Sequence, residues 1–254
     1  MQQTNGGTLV QSHNGVQPAG VIQPDCIIDP NTGQCDIYTV ISISGGGEYT
    51  PEPTDEPNWC GPGSATTAMM HWNYNAVVNH GSETVPNNAN NGYATYSGAQ
   101  GYMAWLAANI YIPADGRYGV NQIPYSGGAL VGVLKDGLNV ATGTSYYIVH
   151  TSSTAADMMA NVQADIGRDN HPMIYLAMSG KLPDWDPKAT VPHYVQGYAY
   201  GFWTSGTYDT NNVYFAETLT HAADNRVTSD GDWSTSYNKM WTAISATTWD
   251  EVIV

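Results

Sequence analysis

The chain is 254 residues long and carries 7 Lys+Arg against 22 Asp+Glu, a formal net charge of −15. Only 11% of its residues are charged, against roughly 25% in ordinary soluble domains, and the first cation is Arg117. Seven scattered cations cannot build the basic face that nucleic acid or an anionic membrane surface requires, so neither is an expected partner. No apolar run nears the ~20 residues of a membrane span, and the length suffices for a core without a disulfide or metal scaffold.

The first residues, Met1 to Asn5, have neither a basic nor an apolar signal region. The surface-type residues are Asn, Thr, Ser, Gly and Tyr rather than Lys and Glu, which points to a secreted chain whose signal peptide has been removed. Three cysteines occur, at 26, 35 and 60. Cys26 and Cys35 flank the turn-forming stretch Asp29-Pro30-Asn31-Thr32-Gly33, and a short disulfide loop is expected there; two reduced, buried thiols are the alternative. Such a loop belongs to an oxidising compartment and adds about 2–3 kcal/mol in the chain-entropy model. It leaves Cys60 as an unpaired thiol and a candidate nucleophile.

Residues 1–50 read as an N-terminal extension with a β-prone run from Ile37 to Ser44, ending at Gly45-Gly46-Gly47; a pro-segment is the alternative. From Pro51 to Pro57, three prolines in seven residues exclude helix. A helix is expected after Cys60, because Ala65, Ala68, Met69, Trp72 and Ala76 recur at spacings of three and four. Residues 81–101 are rich in Asn, Gly and Tyr and read as loop. Helices are expected at 99–109, 127–138 and 154–168, and a short one at Tyr237–Ile244. Strands are expected at Tyr146–His150, Met173–Met178, His193–Phe202 and Val213–Thr218. Helices first and strands late favour an α+β fold for residues 51–254.

A thiol is a nucleophile as thiolate, and a helix N-terminus favours that anion. Cys60 stands where the proline-rich connector meets the helix, with Gly61 and Gly63 allowing close backbone approach; a buried structural thiol beside Trp59 is the bland alternative. The base such a nucleophile needs is most often His. His193 opens an alternating run, with Val195, Gly197 and Ala199 on its face. A hairpin centred near Ser205 would set His193 opposite Glu217, to within one or two residues since a bulge at Gly206 would shift it, and that carboxylate could fix the imidazole tautomer. Asp209 and Asp224 are the reserve acids.

Asn58-Trp59-Cys60-Gly61-Pro62-Gly63-Ser64-Ala65, with Met69 and Trp72 on the following helix, resembles the nucleophile motif of papain-like peptidases of the bacteriocin-leader-processing type, in their secreted form without a transporter. Asp165-Ile166-Gly167, His171-Pro172-Met173-Ile174, Pro192-His193-Tyr194-Val195-Gln196 and Val213-Tyr214-Phe215-Ala216-Glu217 resemble its later blocks. The likeness spans about residues 54–245. It implies a papain-like α+β fold, a nucleophile helix packed on an antiparallel sheet. It also implies a cysteine peptidase acting through Cys60, His193 and an acid at Glu217, on a protein or peptide substrate, as a monomer without cofactor or metal.

Two positions depart from the family. Its acid is Asp or Asn, and Glu217 is one methylene longer than Asp. Its oxyanion-donating Gln lies five to six residues before the nucleophile, where this chain has Thr54 and Asp55. An ionised Asp cannot donate, so the oxyanion donors are expected among Thr54, Asn58, the Cys60 amide or a protonated Asp55. The last would suit an acidic working environment. The same site could run amidase or transpeptidase chemistry on cell-wall or γ-glutamyl substrates, or be a decayed binding module. Two further weak expectations are calcium at Asp230-Gly231-Asp232 or Asp184–Asp186 and self-cleavage after Gly46-Gly47.

Overall fold

A computed structural model describes residues 49–55, 59–87, 92–109, 129–204, 207–247 and 251–254, and four short backbone segments before them. Those segments are β1 (Gln3–Thr4) paired with β2 (Gly7–Thr8), and β3 (Cys26–Ile28) paired with β4 (Cys35–Ile37). The second pair sets Cys26 opposite Ile37 and Cys35 opposite Ile28, so the two cysteines sit in one antiparallel hairpin. Their side chains, and with them the expected disulfide, lie outside the described residues, as do the rest of the Ile37–Ser44 run and Gly46-Gly47.

Helix α1 (Cys60–Val78) follows the connector. Its residues 61–70 are buried all round rather than along one stripe, which makes it a central helix. Asn73 leaves helical geometry at φ −155° and ψ 67°, and its Oδ1 accepts from the Ala76 amide. The side chain thus caps a second helical segment inside α1.

The stretch 81–101, expected as loop, instead forms a hairpin of β5 (Glu83–Asn87) and β6 (Gly92–Tyr96). Alternation along β6 is half-buried against exposed, and the Asn/Gly content that hid these strands reflects weak intrinsic β-propensity that tertiary packing overrides. Val85 packs with Trp59 and with Met103, Ala104 and Ala107 of α2 (Gly98–Asn109) in a small second core. Gly98 turns the chain into α2 at φ +60°.

Next come α3 (Ala129–Thr142), β7 (Val149–Thr151) and α4 (Ala155–Val162). Thr154 caps α4 by accepting from the Asp157 amide. A π-helical turn, Gln163–Asp169, continues α4 and ends at Asn170 in the left-handed region, so the helix expected over 154–168 changes its winding midway. Then follow β8 (Met173–Met178), β9 (Pro192–Thr204), β10 (Thr207–Glu217), β11 (Gly231–Ser236), α5 (Tyr237–Ser245) and β12 (Glu251–Ile253). Strands β7 to β12 form one antiparallel sheet in the order β11-β10-β9-β8-β12-β7. The fold is α+β. The main core fills the space between this sheet and helices α1, α3, α4 and α5.

The β9–β10 hairpin departs from the symmetric register by two positions, at the edge of the expected range. Irregularities lie between Asp209 and Val213 and between Tyr214 and Phe215, and the ladder ends with Ala216 opposite Gln196. Continued, that register would set His193 opposite Leu219, two positions beyond Glu217. The first irregularity puts two extra residues on β10 and the second one extra on β9, so they partly cancel.

Candidate active site

Three elements converge at the N-terminus of α1. Cys60 is the first residue of the helix, partly buried and free. No acidic side chain occupies the first turn, so the unpaired amides there face an anion unopposed. Gly63 lets the other elements close on this turn. A Cβ at 63 would stand 2.5 Å from Thr218 Oγ1 and 3.3 Å from Glu52 Cγ.

His193 stands near the start of β9, opposite Ala177 of β8, and is buried. Glu217 ends β10 with its side chain fully buried. Its Oε1 and Oε2 lie 2.9 and 2.8 Å from His193 Nε2. A carboxylate only accepts, so Nε2 carries the hydrogen and Nδ1 is the nitrogen left for Cys60, whose charge raises the His193 pKa. Diagonal neighbours on adjacent strands lie roughly 7–8 Å apart at Cα. The extra methylene of Glu over Asp supplies reach across that diagonal. Two further donors fix the carboxylate, the Trp185 indole Nε1 at 3.0 Å to Oε2 and the Leu219 amide at 2.8 Å to Oε1.

The electrostatics follow from these contacts. Burial alone would push the His193 pKa down, but the Glu217 charge and the adjacent Cys60 outweigh it and hold it well above the ordinary value. Burial would likewise raise the Glu217 pKa. The His193 charge and hydrogen bond, with the Asp184 and Leu219 bonds, bring it below the usual carboxylate range instead. The result is a buried ion pair with its remaining lone pairs satisfied, the condition under which such a pair survives desolvation.

Sequence reasoning missed three contributors. Trp185 packs its ring 4.8 Å from the His193 ring as well as binding Glu217. Its loop is stitched to the next one by Thr228 N to Asp184 O at 2.6 Å, Asp186 N to Arg226 O at 2.7 Å and a bridge between Trp185 and Val227. Asp184 reaches Glu217 from the same loop. Glu52 comes from the connector, its amide donating to Thr218 O at 2.8 Å and its Oε1 accepting from Thr218 Oγ1 at 2.8 Å. Burial pushes its carboxyl up to about 8, against the opposing pull of His193 and the Trp59 amide. No sequence pattern marks Glu52 or Asp184; each is a single acid in an irregular segment.

The connector residues singled out earlier fall elsewhere. Thr54 is exposed, Asp55 accepts from Tyr96 Oη at 3.1 Å, and Asn58 lies outside the described residues. The connector group that faces the site is Glu52. Of the reserve acids, Asp224 pairs with Arg226, and the Asp209 side chain is not among those described. Asp230 accepts from Tyr49 Oη at 3.1 Å and Asp186 from the Lys188 amide at 2.9 Å. Among the described residues no group of three or more His, Cys, Asp or Glu could hold a metal ion, and no helix is long and apolar enough to cross a membrane. No protein-family model matches the chain, and no curated protein matches it.

Proposed function

We propose that the protein is a secreted cysteine peptidase of papain-like fold, acting on protein or peptide substrates. The observation that carries this reading is a free thiol at a helix N-terminus, close enough to an imidazole to raise its pKa, with that imidazole held at 2.8 Å by a buried carboxylate. Nucleophile, base and orienting acid thus meet in one place, from three separate elements.

In this mechanism the Cys60 proton rests on His193 Nδ1, and the Cys60 thiolate attacks the scissile carbonyl. The tetrahedral oxyanion is received at the α1 N-terminus by the Cys60 amide, with the neutral Glu52 carboxyl as second donor in place of the Gln found in the family. His193 then protonates the leaving amine, and a thioester remains on Cys60. Water, deprotonated by His193, attacks the thioester and releases the acid product, which restores the Cys60 thiolate beside the protonated His193. Glu217 stays ionised throughout and stabilises the imidazolium. The reading includes activity at acidic pH. Because the Glu52 carboxyl is neutral up to about pH 8, activity is expected to extend through neutral pH.

Acid-quenched mass spectrometry during turnover of a peptide library tests this. An acyl adduct on Cys60 with matching cleavage products is the expected result; neither adduct nor cleavage across the library would contradict it.

A further inference from the structure

Two buried carboxyls influence each other in this site, and only one has the donors to be charged. Asp184, fully buried, lies within hydrogen-bond reach of Glu217. The two acids are supplied very differently with donors. Glu217 receives His193 Nε2, Trp185 Nε1 and the Leu219 amide. Neither Asp184 oxygen has a hydrogen-bond partner from another N–H or O–H among the described residues; only its own amide lies near enough to favour the anion. An anion settles where the donors are, and a second anion in contact with it would have no counter-charge beyond the single imidazolium of His193. The arrangement is satisfied in one way, with a proton between the two acids that belongs to Asp184.

We propose that Asp184 is a positioning residue of the site, a neutral acid whose O–H donates to Glu217 and holds that carboxylate against His193. It touches neither substrate nor the reacting sulfur, and its proton is not transferred in the cycle. This rests on the Cys60–His193–Glu217 reading above. The loop stitching gives it a fixed seat, since Thr228 N holds the Asp184 carbonyl and Trp185, the next residue, binds the same Glu217. Burial and the Glu217 charge push the Asp184 pKa up to about 8, with His193 pulling the other way. The charged groups on the facing loop, Asp224 and Arg226, are paired to each other, with the guanidinium 5.7 Å from the Trp185 ring centre. Glu52 adds a third buried acid that senses the same His193 and Glu217. Two neutral acids and one anion therefore surround one imidazole.

Infrared spectroscopy and thiol alkylation on the full chain together test this. At about pH 6, where an exposed Asp is ionised, the wild type should show the carbonyl band of a protonated carboxylic acid that Asp184→Asn lacks. Asp184→Asn keeps an N–H donor and cannot ionise, so its Cys60 alkylation by iodoacetamide should match wild type in acid and lose the fall with ionisation near pH 8. Asp184→Ala removes the donor and should lower kcat about tenfold or more with KM unchanged, the cost of one hydrogen bond to a charged group. An unchanged infrared spectrum in Asp184→Asn overturns the proposal, as does Asp184→Asn falling as far as Asp184→Ala. The infrared comparison stands even if Asp184→Ala does not fold. It also stands apart from the peptidase reading, which fails separately if His193→Ala leaves alkylation unchanged.

Discussion

Two imidazoles lie against α1, His193 at its N-terminus and His171 beside Trp72 further along, and the two behave oppositely. At the N-terminal end His193 is almost wholly buried, yet its pKa stands well above the ordinary value because Glu217 and Cys60 face it. Toward the other end His171 is only partly buried, packed 5.1 Å from the Trp72 ring and 4.8 Å from that of Tyr146. Burial lowers its pKa, and Asp169 opposes this without reversing it. Burial therefore does not decide whether an imidazole is charged; the partner that shares its hydrogen bond does. A base that must hold a proton during acyl transfer needs the first environment, and a packing histidine fits the second.

Exchanging these residues should break the comparison most sharply. His193→Ala is expected to lower kcat by about a thousandfold or more. His171→Ala should stay within about threefold in kcat, since Trp72 lies about 18 Å along the helix from Cys60 at 1.5 Å per residue. Steady-state peptide hydrolysis checks both, and a large loss in His171→Ala alone would reverse the assignment. Glu217→Gln keeps the volume but removes the charge that holds His193 protonated. It should lower kcat by roughly a hundredfold or more and bring the His193 titration down, readable by NMR of the ring. An unchanged titration would mean that Glu217 does not set the imidazole's state.

Glu52 sharpens the comparison at the connector. Glu52→Gln retains a donor and should hold kcat within about threefold near neutral pH, whereas Glu52→Ala should lose about tenfold or more. Equal losses in both would show that the carboxyl acts as an anion. The smallest effect expected is on stability. The Glu52 and Asp184 carboxyls are raised to about 8, Asp165 to about 7 and Asp232 to about 6, each first by burial. A raised carboxyl favours the folded state fully below its unfolded pKa and loses that contribution as pH rises through the folded one. His193 has the same sign. The lowered carboxyls, Glu217, Asp157, Asp169 and Asp224, change stability only below their unfolded pKa, so within this range His171, lowered, is the group that opposes. The raised groups outnumber it, so Tm should fall as pH rises from about 5 to about 8. Calorimetry showing Tm climbing over that range would contradict these shifts.

The sequence made the nucleophile helix, the His193 strand and the α+β order legible, since each rests on local periodicity and on punctuation by proline and glycine. The register of the β9–β10 hairpin was not legible. Two irregularities lie in its paired stretch, and no composition signal locates a bulge among alternating residues. The β5–β6 hairpin was hidden by its Asn/Gly flanks, and the kink at Asn73 by an apolar spacing that runs through it. Glu52, Asp184 and Trp185 reach the site through loop-to-loop contacts separated by more than a hundred residues in one case. Their role depends on what faces them after folding, which a local pattern does not encode. The connector shows the limit most plainly, because Asp55 stood nearer the expected donor position while the fold turned Glu52 inward.

The charge imbalance that first excluded nucleic acid now has a structural counterpart, with three acids buried around one histidine. The most direct test of the central claim is the rate at which iodoacetamide labels Cys60 in the wild type and in His193→Ala, near neutral pH. The account predicts fast, stoichiometric labelling in the wild type and a loss of about tenfold or more without His193. Slow labelling that does not depend on His193 would contradict it, and would leave an α+β scaffold without a working nucleophile.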